Sequence, residues 1–124
     1  MKIVCTICSR VKSEESVVLP AQERYLAPHI AQAKVFAEML ELPYYILSGK
    51  FGLVRADEPV PYYDHRLKED EIDRVAGWVM SRIAQDKITH INFCAEQKPT
   101  WAPYEEILRR ACERTGVILT LHLI

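Results

Sequence analysis

The densest set of reactive and recognition-capable residues lies between Tyr44 and His65. After the apolar run Tyr44–Leu47 come Ser48-Gly49-Lys50-Phe51-Gly52, and soon after Asp57-Glu58-Pro59-Val60-Pro61-Tyr62-Tyr63-Asp64-His65. The first turn joins a hydroxyl, a cation and two glycines. Gly49 and Gly52 permit positive φ and close approach of a ligand to backbone N–H groups. Ser48 and Lys50 suit a phosphate, a carboxylate or the polar edge of a base. The turn is not a P-loop, because the GxxxxGK[ST] spacing is absent; the plainer alternative is a strand exit with a solvated lysine. In the second segment, prolines stiffen the chain and hold rings and carboxylates at small entropic cost. Tyr62 or Tyr63 is placed to stack on a planar ligand. Asp64 can serve as acid, base or acceptor, or can simply begin the next helix.

Further candidates stand at other junctions. Cys8, Ser9, Arg10 and Lys12 follow an N-terminal β-branched run, and Glu96 and Gln97 follow the run that ends at Cys94 and Ala95. Arg24 and Tyr25 precede a helix start, where an anion is favoured, so Arg24 is a candidate anion clamp. Cys5 and Cys8 match CxxC, but on a strand an offset of three sends them to opposite faces. No second ligand pair at zinc spacing exists, so no metal is expected. No cofactor is expected either. His90 and His122 fall within strand patterns; His29 and His65 are freer.

The elements that must position these groups follow from periodicity. KIVCTIC (residues 2–8) reads as a strand. From Pro28 a helix carries Ile30, Ala33, Ala37 and Leu40 on one face and ends before Pro43. Tyr44–Ser48 is a second strand. From Lys68 to Gln85 an acidic first turn leads a stripe of Ile72, Val75, Ala76, Val79 and Ile83. Ile88–Cys94 is a third strand, Ala102–Arg114 a helix closed by Gly116, and VILTLHLI a fourth strand. The order predicts one α/β domain over residues 1–124: three layers, a mainly parallel four-stranded sheet and helices on both faces. Ligands of such sheets sit beyond the carboxyl ends of the strands, where Cys8–Lys12, Ser48–Gly52 and Cys94–Gln97 should converge.

Composition narrows the classes. The chain has 124 residues, 49% hydrophobic and 27% charged, with 16 basic against 17 acidic residues. That fits one ordinary globular domain and supplies no global positive field for nucleic acid. The N-terminus lacks a signal-peptide pattern, and no run approaches membrane-spanning length. A cytoplasmic protein with reduced thiols is expected.

The succession Cys8-Ser9-Arg10-Val11-Lys12, Pro20-Ala21 with Arg24-Tyr25, Ile46–Leu53, then Pro61–Leu67 resembles a family of small bacterial and phage domains of unknown function. Its members read C-x-x-x-K, P-A-x-x-x-Y, S-[AG]-K-[YF]-G-L and P-Y-D-x-x-L. The resemblance covers roughly the first 70 residues; here an extra Tyr63 separates the Pro-Tyr pair from Asp64. More distantly the chain is similar to the YaaA peroxide-stress family and to the uracil-DNA-glycosylase-like domains of archaeosine-forming enzymes. The resemblance implies a base- or nucleotide-handling fold, with Cys8, Lys12, Tyr25, Ser48, Lys50, Gly52, Tyr62 and Asp64 at the matching positions.

Three expectations follow. The first is an enzyme on a nucleobase, nucleoside or nucleotide, most simply an N-glycosidic hydrolase or transferase. In it Asp64 or Glu96 activates water or stabilises an oxocarbenium-like centre, and Lys12, Arg24 and Lys50 hold phosphate. The second is a non-catalytic DNA- or RNA-binding module using a local basic face of Lys2, Arg10, Lys12, Lys50, Arg55 and Arg66. The third is a structural domain, a homodimer with Trp78 and Trp101 at its interface.

Overall fold

The computed structural model describes residues 1–124. The elements run β1 (Lys2–Ile7), β2 (Leu19–Pro20), α1 (Ala21–Arg24), α2 (Pro28–Leu40), β3 (Tyr44–Ser48), β4 (Gly52–Arg55), β5 (Pro59–Val60), α3 (Ile72–Asp86), β6 (His90–Ala95), α4 (Ala102–Thr115) and β7 (Ile118–Leu123). The protein is a mixed α/β structure whose main sheet has five strands in the order β4-β3-β1-β6-β7. All neighbours are parallel except β3 and β4, which form an antiparallel hairpin. A separate two-stranded ribbon joins β2 to β5.

The four-stranded expectation is therefore corrected to five, the added strand being β4. Gly-Leu-Val-Arg follows the Ser-Gly-Lys-Phe turn without interruption, so it reads in sequence as more loop. Its register, Leu47 opposite Leu53 and Ile46 opposite Val54, buries both apolar residues and makes it a strand.

The core is set by strand alternation. Ile3, Cys5 and Ile7 of β1 enter one apolar cluster with Ile91 and Phe93 of β6, the α3 stripe, and Ile107, Leu108, Ala111 and Cys112 of α4. Val4 of β1 goes instead to a cluster with Ala33 and Ala37 of α2 and Cys94 of β6. The five α3 residues read from periodicity are the five buried ones. On α2, Ile30, Ala33 and Ala37 are buried while Leu40 is exposed. Glu41 and Lys87 end α2 and α3 in the left-handed region, as Gly116 ends α4. No helix is long and apolar enough to cross a membrane.

Candidate functional site

From β1 the chain moves outward to β3, whereas from β6 it moves outward to β7 on the other side. Between β1 and β6 the connections diverge, and in open parallel sheets ligands sit outside the carboxyl ends at that point. The edge has two flanks, built differently.

On the β1–β3 flank, hydroxyl groups form a connected chain. The Ser48 Oγ accepts the N–H groups of Lys50 and Phe51, each at 3.1 Å. Both its lone pairs are thereby used, so its proton goes to the Tyr63 Oη at 3.0 Å, which lies 2.6 Å from the Tyr25 Oη. The Cys8 thiol donates to the Tyr104 Oη at 3.7 Å. The Lys12 ammonium lies over the Tyr63 ring, 4.6 Å from its centroid, and 5.9 Å from that of Tyr25. Lys12 is fixed there by a β-bridge to Tyr25. Burial pushes the Tyr25 phenol up to about 12, with nearby Cys8 adding to the rise. Burial likewise drives Tyr63 and Tyr104 upward, so all three rings stay neutral hydrogen-bonding groups.

The loop that delivers Tyr63 is clasped at its far end. Glu71 is buried; its Oε1 accepts the Lys68 N–H at 2.8 Å and lies 3.1 Å from the His65 Nε2, while its Oε2 pairs with Arg74 at 2.6 Å. The Lys68 N–H, then His65 and Arg74, hold its carboxyl below the usual carboxylate value.

On the β1–β6 flank, His29 at the start of α2 is buried and its Nε2–H donates to the Ile7 carbonyl at 2.8 Å. This bond selects the Nε2–H tautomer and leaves Nδ1 as a lone-pair acceptor with no partner in the chain. The His29 ring packs edge-on against Trp101, centroids 4.8 Å apart, and Phe93 flanks the same indole at 6.1 Å. Trp101 is 6% exposed and its indole N–H makes no hydrogen bond within the protein. Every fully enclosed polar side-chain atom has a partner, so that N–H reaches solvent. Trp101 lines a cavity of about 110 Å³ together with Phe93, Glu96, Glu105, Leu121 and Leu123. Glu96 is paired with Lys98 at 2.7 Å, whereas the half-buried Glu105 has no partner.

A larger cavity of about 300 Å³ lies away from this edge, against Tyr44 at the start of β3 and Arg55 at the end of β4. Its Lys34, Glu38, Arg55 and Asp57 are surface charges of mixed sign, and Arg55 is already engaged by Asp57, Glu58 and Asp86. Size alone does not make it the better site; the smaller one lies at the carboxyl ends of β6 and β7 and holds the unpartnered groups.

The residues read from the sequence divide accordingly. Cys8, Lys12, Tyr25 and Ser48 come together on one flank, and Glu96 lies on the other. Arg24 is corrected: it is wholly buried, donating to the carbonyls of Val60 at 3.2 Å, Ser13 at 2.6 Å, Glu15 at 3.0 Å and Val17. A guanidinium with its donors engaged this way cannot clamp an anion. Gly52 does take positive φ (79°), but the space beside it is filled by Trp78, whose Cβ would lie 3.0 Å from an added methyl. Gly49 serves close packing, with Leu67 3.1 Å from the position of an added Cβ. The N–H groups of the turn are taken by Ser48, so no anion cradle forms there. Lys50 and Asp64 are exposed and unpaired. Tyr62 is 46% exposed, and Tyr63 takes the inward place. Trp101 is internal rather than an interface residue.

The sequence does not single out Tyr104 or Glu105, and it marks His29 and Trp101 only as a freer histidine and an interface tryptophan, not as site residues. For Trp101, Tyr104 and Glu105 the signal is positional, since they flank the start of α4, the first α-helix after β6; His29 in the first turn of α2 has no such signal, because α1 and a long segment separate it from β1.

A family model described as a family of unknown function, DUF6884, matches residues 3–98, extending beyond the four motifs into β6. No curated protein and no solved structure matches the chain.

Proposed function

The chain thus belongs to DUF6884, and we propose that it handles a nucleobase or nucleotide at the sheet's carboxyl edge, in the cavity beside the end of β6. The observation that carries this reading is Trp101, whose indole packs against His29 on one side and on the other walls a small cavity with Glu96, Glu105 and, from β7, Leu121 and Leu123. An aromatic wall with a free N–H donor, flanked by carboxylate acceptors, is suited to a planar heterocycle bearing both acceptors and donors. The reading takes the domain as three layers, α2 on one face and α3 with α4 on the other, which the alternation of β1 residues between clusters supports. Lys98 and, across the edge, Lys12 are the cations available to a phosphate.

Where a reaction occurs, cleavage or transfer at an N-glycosidic bond suits the groups at hand. Glu96 is the carboxylate to stabilise an oxocarbenium-like centre or activate water, and the Nδ1 of His29 is a proton acceptor of fixed tautomer. Asp64, exposed in the loop beyond Tyr63, is the weaker candidate for that role.

Thermal-shift screening of free bases, nucleosides and nucleotides tests the binding reading, followed by a glycosidic-cleavage assay with any compound that stabilises. Stabilisation that weakens in Glu105→Gln and Glu96→Gln is expected. If no base-bearing compound raises the melting temperature, the reading fails. A nucleic-acid strand shares the same base chemistry; steep salt dependence of binding would assign the site to a polynucleotide rather than a free nucleotide.

A further inference from the structure

The two lateral edges of the main sheet are finished differently. β4 is four residues long, and the Leu53 carbonyl accepts from the Arg82 Nε at 3.1 Å. Arg55 at its end is surrounded by Asp57, Glu58 and Asp86, and Trp78 covers Gly52. Charge, shortness and a covering side chain are the usual protections of a sheet edge.

β7 has none of them. It is six residues long and pairs along its whole length with β6, from Ile118 opposite His90 to Leu123 opposite Ala95. No strand lies on its outer side. Residues 117–124, VILTLHLI, contain no charged residue and no proline. Ile118, Leu121, Leu123 and Ile124 are 61%, 45%, 56% and 46% exposed. The direction of the backbone is also fixed. The Ile118 N–H donates to the Thr89 carbonyl at 3.1 Å and the Ile124 N–H to the Ala95 carbonyl at 2.9 Å. Backbone groups alternate sides along a strand, so the N–H and C=O of Leu119, Leu121 and Leu123 point outward from the sheet.

We infer that β7 pairs antiparallel with β7 of a second copy of the chain, about a two-fold axis through Leu121. That axis sets Leu121 opposite its own copy, Leu119 opposite Leu123, Thr120 opposite His122 and Ile118 opposite Ile124. The three residues with outward backbone groups then face the partner's three, and each exchanges both of its hydrogen bonds. On one face the strip is leucine throughout; on the other, isoleucine meets isoleucine and the polar pair meets itself. A one-residue slip sets outward backbone groups against inward ones and sends side chains to opposite faces. Such self-matching is what an isologous two-fold contact requires, and this is why a second copy, not an unrelated strand, is the occupant. The product is one continuous ten-stranded sheet. Because Leu121 and Leu123 also line the cavity with Trp101 and Glu96, the partner strand lies alongside that cavity. The inference stands independently of what the cavity binds.

The test is the mass of the full chain by size exclusion with light scattering across a concentration series. The wild type should reach twice the monomer mass. Residue 121 meets itself across the axis, so Leu121→Lys and Leu121→Glu should each be monomeric, and an equimolar mixture should restore the dimer. Amide hydrogen exchange on the wild type supplies a reading free of mutation: the Leu119, Leu121 and Leu123 amides should be protected at high concentration and lose protection on dilution. A monomeric wild type at every concentration, dimeric single variants, or a mixture of folded variants that does not associate would each overturn the pairing. So would growth to open-ended assemblies, because the two-fold contact closes.

Discussion

The two flanks of the sheet's carboxyl edge hold similar numbers of polar groups but use them in opposite ways. On the β1–β3 flank, Ser48, Tyr63 and Tyr25 satisfy one another and the turn's N–H groups. On the β1–β6 flank, the Nδ1 of His29, the indole N–H of Trp101 and the carboxylate of Glu105 have no partner in the protein. A buried polar network that is complete rigidifies the fold; polar groups left open at a crevice are available to a ligand. The difference teaches that density of reactive residue types is a poor guide to a site until their hydrogen bonds are counted.

Substitutions should therefore separate stability from binding, and the largest effect should come from the group that anchors the closed flank. Arg24→Met leaves the carbonyls of Ser13, Glu15, Val17 and Val60 without their donors, so a loss on the order of 3 kcal/mol or more is expected in denaturant unfolding. A loss smaller than that of any exposed-site substitution would mean those carbonyls find water, and that the flank is not anchored there. Ser48→Ala removes the acceptor of two turn N–H groups and the donor to Tyr63; about 2 kcal/mol should be lost. Calorimetry that finds the variant as stable as wild type would dissolve the distinction between the flanks.

High pH attacks the same flank without mutation. In the folded protein Tyr25 ionises near 12 against an ordinary value of 10. Its neutral form is thus preferred in the fold, so its contribution is complete below pH 10 and is lost as the pH rises through 12. Stability followed against pH should fall across that interval by about 2 kcal/mol on this account, with Tyr63 and Tyr104 adding in the same direction. Tyr25→Phe should flatten the early part of the fall; an unchanged profile would locate the titration elsewhere. The smallest effect on folding belongs to the open flank. Glu105→Gln should alter stability by no more than about 0.5 kcal/mol while diminishing stabilisation by base-bearing compounds. The reverse result, a destabilised protein with binding intact, would exchange the roles assigned to the two flanks.

The parts of this architecture legible in the sequence are those with local periodicity. The α3 stripe and the alternation of β1 and β6 are repeated signals over several turns or residues, and they place three of the four helices and four of the five main strands. β4 has only four residues, and the Ser-Gly-Lys-Phe turn before it reads equally well as the opening of a longer loop. The fate of Arg24 rests on carbonyls from 7 to 36 positions away, and no spacing rule encodes such partners. Tyr62 and Tyr63 are identical neighbours, and which one turns inward depends on the path of a loop held by Glu71. The strand ends are legible as a shared edge, but His29 and Trp101 meet only because α2 and the segment before α4, far apart in the chain, are brought together in the fold.

The two tryptophans give the molecule an optical asymmetry. Trp101 is enclosed by Phe93 and His29, whereas Trp78 is 41% exposed under the guanidinium of Arg74. Their emission should therefore differ in colour, the first blue-shifted and slow to be quenched by iodide, the second red-shifted and quickly quenched. Occupation of the crevice would alter one component and leave the other as an internal reference, so the chain carries both a sensor and its standard.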